Sequence, residues 1–277
     1  MKSWRTLFRS VSYDLSWSKR MGLLCAATFV SHRILHDLGL DRRRLLCLRP
    51  RGCRYPLALR VAGSSDVDVL RQVFAEQGYS VLRDIPDPKV ILDCGANVGY
   101  SSIFFLNAFE QARVIAIEPD TENFKVCSQN LAPYSSRVQL LHAAVWGRAT
   151  QVAVHRGSFR DGREWTAQVR EASNVDGEIV DALNMVSLLG LTPDGVVDLL
   201  KIDIERSELE LFGFHPDRWL PKIRNIAIEL HDEECTQVFF HALQGYSYDS
   251  SVCGELTICR NIRPKVRLNV SAMQDSR

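Results

Sequence analysis

Val90-Ile91-Leu92-Asp93-Cys94-Gly95-Ala96-Asn97-Val98-Gly99, running on into Tyr100-Ser101-Ser102, is the stretch that decides how this 277-residue chain is read. Residues 90–94 form a short apolar run of the length of a buried strand, and 99–109 continue as a helix. Glycines between the two let the backbone approach a ligand closely. In an open α/β sheet, ligands sit outside the carboxyl ends of the strands, where such a loop lies.

The same alternation continues outward. Residues 114–118 predict a second strand, 121–131 a helix, 138–141 a third strand, 196–202 a fourth and 223–230 a fifth. Between the third and fourth lies an insertion of hairpin character, with runs at 151–155 and 166–169. Residues 246–248 and 256–259 predict an antiparallel pair closing one edge. Upstream, Ser64, Ser65 and Asp66 read as a helix start, with Val67, Leu70, Val73 and Phe74 on one face. Short apolar strands alternating with helices imply an α/β fold, a mostly parallel sheet covered on both faces.

The second strand ends in Glu118, 23 residues after Gly95. An acid at that place accepts hydrogen bonds from both ribose hydroxyls, so loop and acid together form a nucleoside-binding constellation. The loop does not match the dinucleotide fingerprint G-x-G-x-x-G: Asn97 stands where the second glycine belongs and Tyr100 where the third does. Asp93, read as facing the ligand, would repel a pyrophosphate and attract a cation. This favours S-adenosylmethionine, with its ammonium and sulfonium, over NAD. The alternative is a strand-to-helix turn that is purely structural.

Composition sets the wider frame. Hydrophobic residues make up 46% and charged residues 24%, as in a globular chain with a real core, which excludes a disordered or collagen-like protein. Eight cysteines without a CxxC pair fit a reducing compartment and a cytoplasmic location. The net charge of +1 is unevenly spread: residues 1–60 carry 13 Lys/Arg against 3 Asp/Glu, which leaves −9 for the rest. A soft boundary therefore falls near residue 60, between a basic, helical N-terminal segment (1–60) and the α/β domain (61–277). Trp4, Leu7, Phe8, Val11 and Leu15 repeat at helical spacing, with Lys2, Arg5 and Arg9 mostly off that stripe. Such a helix either lies on a membrane surface or packs on its own domain, so residues 1–40 are a candidate peripheral membrane contact. No run reaches the length of a spanning helix. A transit peptide stays open as an alternative. No nucleic-acid-binding motif is present, and no nucleic-acid partner is expected.

Three segments together resemble the FkbM family of S-adenosylmethionine-dependent methyltransferases. They are Ile91 through Ser102, then Ala116-Ile117-Glu118-Pro119, then Asp198-Leu199-Leu200-Lys201-Ile202-Asp203-Ile204-Glu205. The resemblance spans roughly residues 60–260 and implies a class I methyltransferase fold, a Rossmann-like seven-stranded sheet with one antiparallel strand. It implies O-methylation of a glycan, glycolipid or secondary-metabolite acceptor. By position in that family, Asp93, Gly95, Ala96, Asn97 and Gly99 would line the methionine part of the cofactor and Glu118 would hold the ribose. Ala143 and Ala144 would lie near the adenine, and Asp203 near the transferred methyl and the acceptor. The family usually has glycine where this chain has Arg206, which implies either strain at a positive φ or an exposed cation that could meet an anionic acceptor.

A hydroxyl acceptor gains from a base, and the acids and histidine at strand ends are the candidates: Asp203, Glu205, Glu208, Glu229 and His231. His231 has an ordinary pKa suited to base work near neutrality. Asp203, Glu205, Glu229 and His231 are of the type that holds a metal, but nothing in their spacing demands one, and none is expected. The alternatives to a methyltransferase are a non-catalytic nucleoside-binding module and an NAD-dependent oxidoreductase.

Overall fold

A strand buried on both faces needs an uninterrupted apolar run, and in the computed structural model all five residues of Val90–Cys94 are buried. The structure describes residues 18–40, 45–61, 64–155, 168–171 and 177–265. The stripe from Trp4 to Leu15, Arg42 to Arg44, and Thr166 lie outside the described residues.

In chain order the N-terminal elements are α1 Ser18–Met21, α2 Leu23–Asp37, β1 Leu45–Leu48, β2 Leu57–Arg60 and α3 Asp66–Leu70. The central half-sheet follows as β3 Val90–Cys94, α4 Tyr100–Ala108, β4 Arg113–Glu118, α5 Thr121–Leu131 and β5 Val138–His142. An insertion then contributes β6 Ala144–Val145, β7 Thr150–His155, β8 Gln168–Glu171 and β9 Glu178–Leu183. The chain returns through α6 Met185–Leu189, β10 Leu199–Ile202, α7 Glu208–Gly213, β11 Ile226–Glu229 and α8 Glu233–Ala242. It finishes with β12 Tyr246–Cys253 and β13 Leu256–Pro264.

Seven of these strands form one sheet in the order β12-β13-β11-β10-β3-β4-β5. β10 and β4 flank β3 in parallel, with Ile202 opposite Cys94 and Cys94 opposite Ile117. β13 is the antiparallel member, paired with both β11 and β12. This is the class I methyltransferase topology, with the switch point between β3 and β10, where the loops leaving the two strands diverge and open a crevice. α4 has buried residues on every side, as a helix sandwiched in a core requires. α5 starts where Asp120 accepts from the backbone N–H groups of Glu122 and Asn123.

Two features go beyond the sequence reading. The insertion is a four-stranded sheet in the order β6-β9-β7-β8, not a hairpin alone. β9 is only half buried, so its apolar pattern is weak. The first 60 residues are not uniformly helical: β1 and β2 form an antiparallel hairpin around Pro50, Gly52 and Pro56. Leu46, Leu48, Leu57 and Leu59 of the hairpin, with Met21, Cys25 and Phe29, share one core cluster with Ile91, Tyr100 and Phe105. Packing thus runs across the compositional boundary near residue 60. Ser65 makes no side-chain cap bond at α3; the buried Asp66 instead pairs with Arg60, 2.7 Å away, and also accepts its backbone N–H. All eight cysteines are free thiols. Among the described residues no helix is long and apolar enough to cross a membrane.

The hairpin is stapled to α5 and to the loop after β3 by Asn130. Its Oδ1 accepts from the Ala58 N–H at 2.7 Å and its Nδ2 donates to the Ala58 and Val98 carbonyls. Replacing Asn130 by Ala strands a buried N–H, so Asn130→Ala is expected to cost about 1–3 kcal/mol in urea unfolding. A loss below about 0.5 kcal/mol would show that the staple does not hold the hairpin.

Candidate active site

The crevice above the carboxyl ends of β3, β4, β10 and β11 is a cavity of about 220 Å³. Gly95, Ala96, Asn97, Glu118, Ala143, Asp203, Glu229 and His231 all line it. Of the cofactor residues expected from sequence, Asp93, Gly99 and Ala144 do not. Ala144 is buried with Trp146 and Val152 in the core of the smaller sheet, while its neighbours Ala143 and Val145 face the cavity. That is the alternation of a strand.

The loop after β3 is positioned from both sides. Gly95 and Ala96 donate their N–H groups to the Ile117 carbonyl of β4. A Cβ at Gly95 (φ 77°) would fall 1.8 Å from the Asp203 carbonyl oxygen, so only glycine lets the ends of β3 and β10 meet. Gly99 caps α4 at φ 87°, and a Cβ there would press on Cys127 Sγ at 3.0 Å.

Glu118 forms the cavity wall on the β4 side. One carboxylate oxygen accepts the Asn97 N–H at 2.8 Å and the other the Asp120 N–H at 2.9 Å. Burial raises its carboxyl to about 7, while the two backbone hydrogen bonds pull the other way. Asn97 holds φ 51°, and its buried Oδ1 has no hydrogen-bond partner among the described residues.

Asp93 corrects the sequence reading. It is 0% exposed and lies beneath the loop instead of facing a ligand. Its Oδ2 accepts from the Ser101 and Ser102 hydroxyls, each at 2.6 Å, and its Oδ1 lies 3.2 Å from Lys201 Nζ. Lys201 also donates to the Gly95 carbonyl at 2.6 Å. Burial works against its charge, but Asp93, Tyr79 and Asp203 outweigh that and hold the ammonium well above the ordinary lysine range. The negative charge of Asp93 is therefore neutralised inside the protein. Sequence reasoning gave Lys201 no role, although a lysine within the apolar run 196–202 was itself the signal of a buried partner.

The β11 end of the cavity carries a second correction. His231 Nε2 lies 3.4 Å from Glu205, 3.6 Å from Asp203 and 4.0 Å from Glu229, and Nδ1 lies 3.4 Å from Glu208. Burial disfavours the imidazolium, but the carboxylates of Glu208, Asp203 and Glu205 outweigh it and push His231 up to about 10. It is not the free base that its ordinary pKa suggests. Glu229 is pushed up to about 8 by burial and then by Asp203. Glu205 and Arg206 both adopt left-handed backbone, φ 51° and 77°, so the turn does require a positive φ at the position of Arg206. The Arg206 side chain is not open to an anionic acceptor: it pairs with Asp232 at 2.7 Å and Glu234 at 2.8 Å.

A sequence profile described as the methyltransferase FkbM domain matches residues 93–252. The AMB antimetabolite synthetase AmbE of Pseudomonas aeruginosa is 27% identical over 222 residues, covering 64% of this chain and 10% of the synthetase. The methyltransferase sdnD of Sordaria araneosa is 28% identical over 192 residues, covering 58% of this chain and 73% of sdnD. The crystal structure of methyltransferase FkbM from Methylobacillus flagellatus KT matches with a TM-score of 0.45 at 18% identity. That match covers 62% of this chain and 43% of the other. The chain thus spans 10% of the synthetase's length and less than half of that crystallised chain.

Removing one partner of a buried ion pair leaves the other charge stranded. Lys201→Met is expected to lower stability by about 3–5 kcal/mol in urea unfolding, with part of the loss recovered on adding Asp93→Asn. A loss below about 1 kcal/mol would show that the pair does not hold the loop.

Proposed function

The chain belongs to the FkbM methyltransferase family, and from that premise we propose that it binds S-adenosylmethionine in this cavity and methylates a hydroxyl of a sugar-containing or secondary-metabolite acceptor. The observation that carries the reading is Glu118, a buried carboxylate fixed by two backbone N–H groups on the cavity wall. It keeps lone pairs free for the vicinal hydroxyls of a ribose. Ile117, Ala143 and Val145 offer apolar surface beside it for a purine. The unpartnered Asn97 Oδ1 suits an ammonium donor. With Asp93 neutralised, the preference for a cationic cofactor over a pyrophosphate rests on Asp203, Glu205 and Glu255 in the cavity lining, with Glu118 and Glu229 adding charge as they ionise.

S-adenosylmethionine supplies a methyl already activated by a sulfonium, so the chain's main task is positioning. Asp203, between the nucleoside side and the acceptor side, takes the hydroxyl proton. Glu229 and His231 frame the acceptor from the end of β11 and the turn after it.

Calorimetric titration is expected to show S-adenosylmethionine binding and no NAD binding, with Glu118→Ala weakening the affinity at least about tenfold, or about 1.4 kcal/mol. NAD binding alone would overturn the cofactor assignment. Because the carboxylate is the form that accepts from a ribose, affinity is expected to rise as pH increases through about 7. The same raised carboxyl favours the folded state below the ordinary glutamate pKa, an advantage lost as pH climbs through about 7. In Glu118→Gln the pH dependence of binding is expected to flatten; a wild-type profile already flat from pH 6 to 8 would contradict this role.

We also propose that residues 1–40 contact a membrane surface. Leu23 and Leu24 of α2 are 78% and 83% exposed, with the exposed Lys19 nearby in α1. Flotation with anionic liposomes is expected to drop severalfold in Leu23→Glu/Leu24→Glu; equal flotation would exclude this face as the contact.

A further inference from the structure

We infer that Asp203, Glu205 and His231 form a divalent-cation site on the acceptor side of the cavity, against the sequence expectation of no metal. The three residues arrive from separate places: Asp203 and Glu205 from the turn after β10, His231 from the turn after β11. Each offers one ligand atom, and these atoms lie within 4.8 Å of one another. An ion with oxygen ligands at about 2.1 Å sets neighbouring ligand atoms about 3.0 Å apart and opposite ones about 4.2 Å apart. The Nε2 distances of 3.4 Å to Glu205 and 3.6 Å to Asp203 fall within that span. They are too long, or too poorly aimed, for hydrogen bonds.

The second observation is the histidine itself. Its side chain is 3% exposed, with Nε2 directed at the acids and Nδ1 turned away from them. Behind it, Nδ1 lies 3.4 Å from an oxygen of the fully buried Glu208. That oxygen is held in turn by the Ile204 N–H at 3.1 Å. A carboxylate behind the second ring nitrogen is the arrangement that orients a metal-binding imidazole and presents its other nitrogen as ligand. Glu229, whose Oε1 lies 4.0 Å from Nε2, places a further carboxyl oxygen at the same point. Two carboxylates and one imidazole, which releases its Nε2 proton to solvent as the ion binds, suit Mn²⁺ or Mg²⁺ and leave coordination positions for water or an acceptor oxygen. The site deepens the acceptor half of the methyl-transfer reading, but its test uses no nucleoside and stands or falls separately.

The test is titration of the full chain with Mn²⁺, read by the loss of the free-ion electron paramagnetic resonance signal. One Mn²⁺ per chain is expected, at roughly 10⁻⁴ M or tighter. Glu205→Gln and Asp203→Asn are each expected to weaken it at least about tenfold, while the exposed Asp217→Asn leaves it unchanged. Spin-echo spectra of bound Mn²⁺ in the unmodified protein are expected to show ¹⁴N modulation from His231. That measurement needs no variant to fold. Absence of Mn²⁺ binding by natively folded chain, bound Mn²⁺ without nitrogen modulation, or equal affinity in a folded Glu205→Gln would each overturn the site.

Discussion

An ammonium and a carboxylate meet out of water at the centre of the sheet, and the site is built around that pair. Lys201 on β10 and Asp93 on β3 lie side by side at the switch point, 1% and 0% exposed. Isolated, either charge would be costly to bury. Paired, they brace three elements. Asp93 takes the two serine hydroxyls that open α4, and Lys201 takes the Gly95 carbonyl of the loop. With β4 holding the next two N–H groups of the loop, the peptide from Gly95 to Asn97 is fixed before any ligand arrives. Glu118 then presents a rigid carboxylate across from it.

The turn after β10 is the counterweight. Two consecutive non-glycine residues, Glu205 and Arg206, hold left-handed backbone, at about 1–2 kcal/mol each. Arg206 offsets part of this through its pairs with Asp232 and Glu234 at the start of α8. The twist carries Glu205 back toward His231, so this end of the cavity is a place where local strain accompanies a concentration of charge.

Much of this was legible in the residues. The all-buried runs of β3 and β10, and of β4 after Arg113, announce a parallel sheet, and the spacing of Gly95 and Glu118 announces a loop and an acid that share one cavity wall; both follow from local pattern. What pattern could not convey was partnership. Asp93 looked like a ligand contact because Lys201, more than a hundred residues away, does not appear beside it in the chain. His231 looked like a free base because Glu205 and Glu208, the acids that raise its pKa, stand on another turn. β9 escaped because a half-buried strand with Asp181 in it lacks a clear apolar signature. The hairpin β1–β2 was hidden under the arginines, although Leu46, Leu48, Leu57 and Leu59 follow strand alternation.

The most direct test of a nucleoside seat organised by Glu118 is a crystal structure grown with S-adenosylhomocysteine. Ribose hydroxyls within about 3 Å of the Glu118 carboxylate, with the adenine against Ala143, are the expected result. A nucleoside bound elsewhere, or a ribose turned away from Glu118, would contradict it.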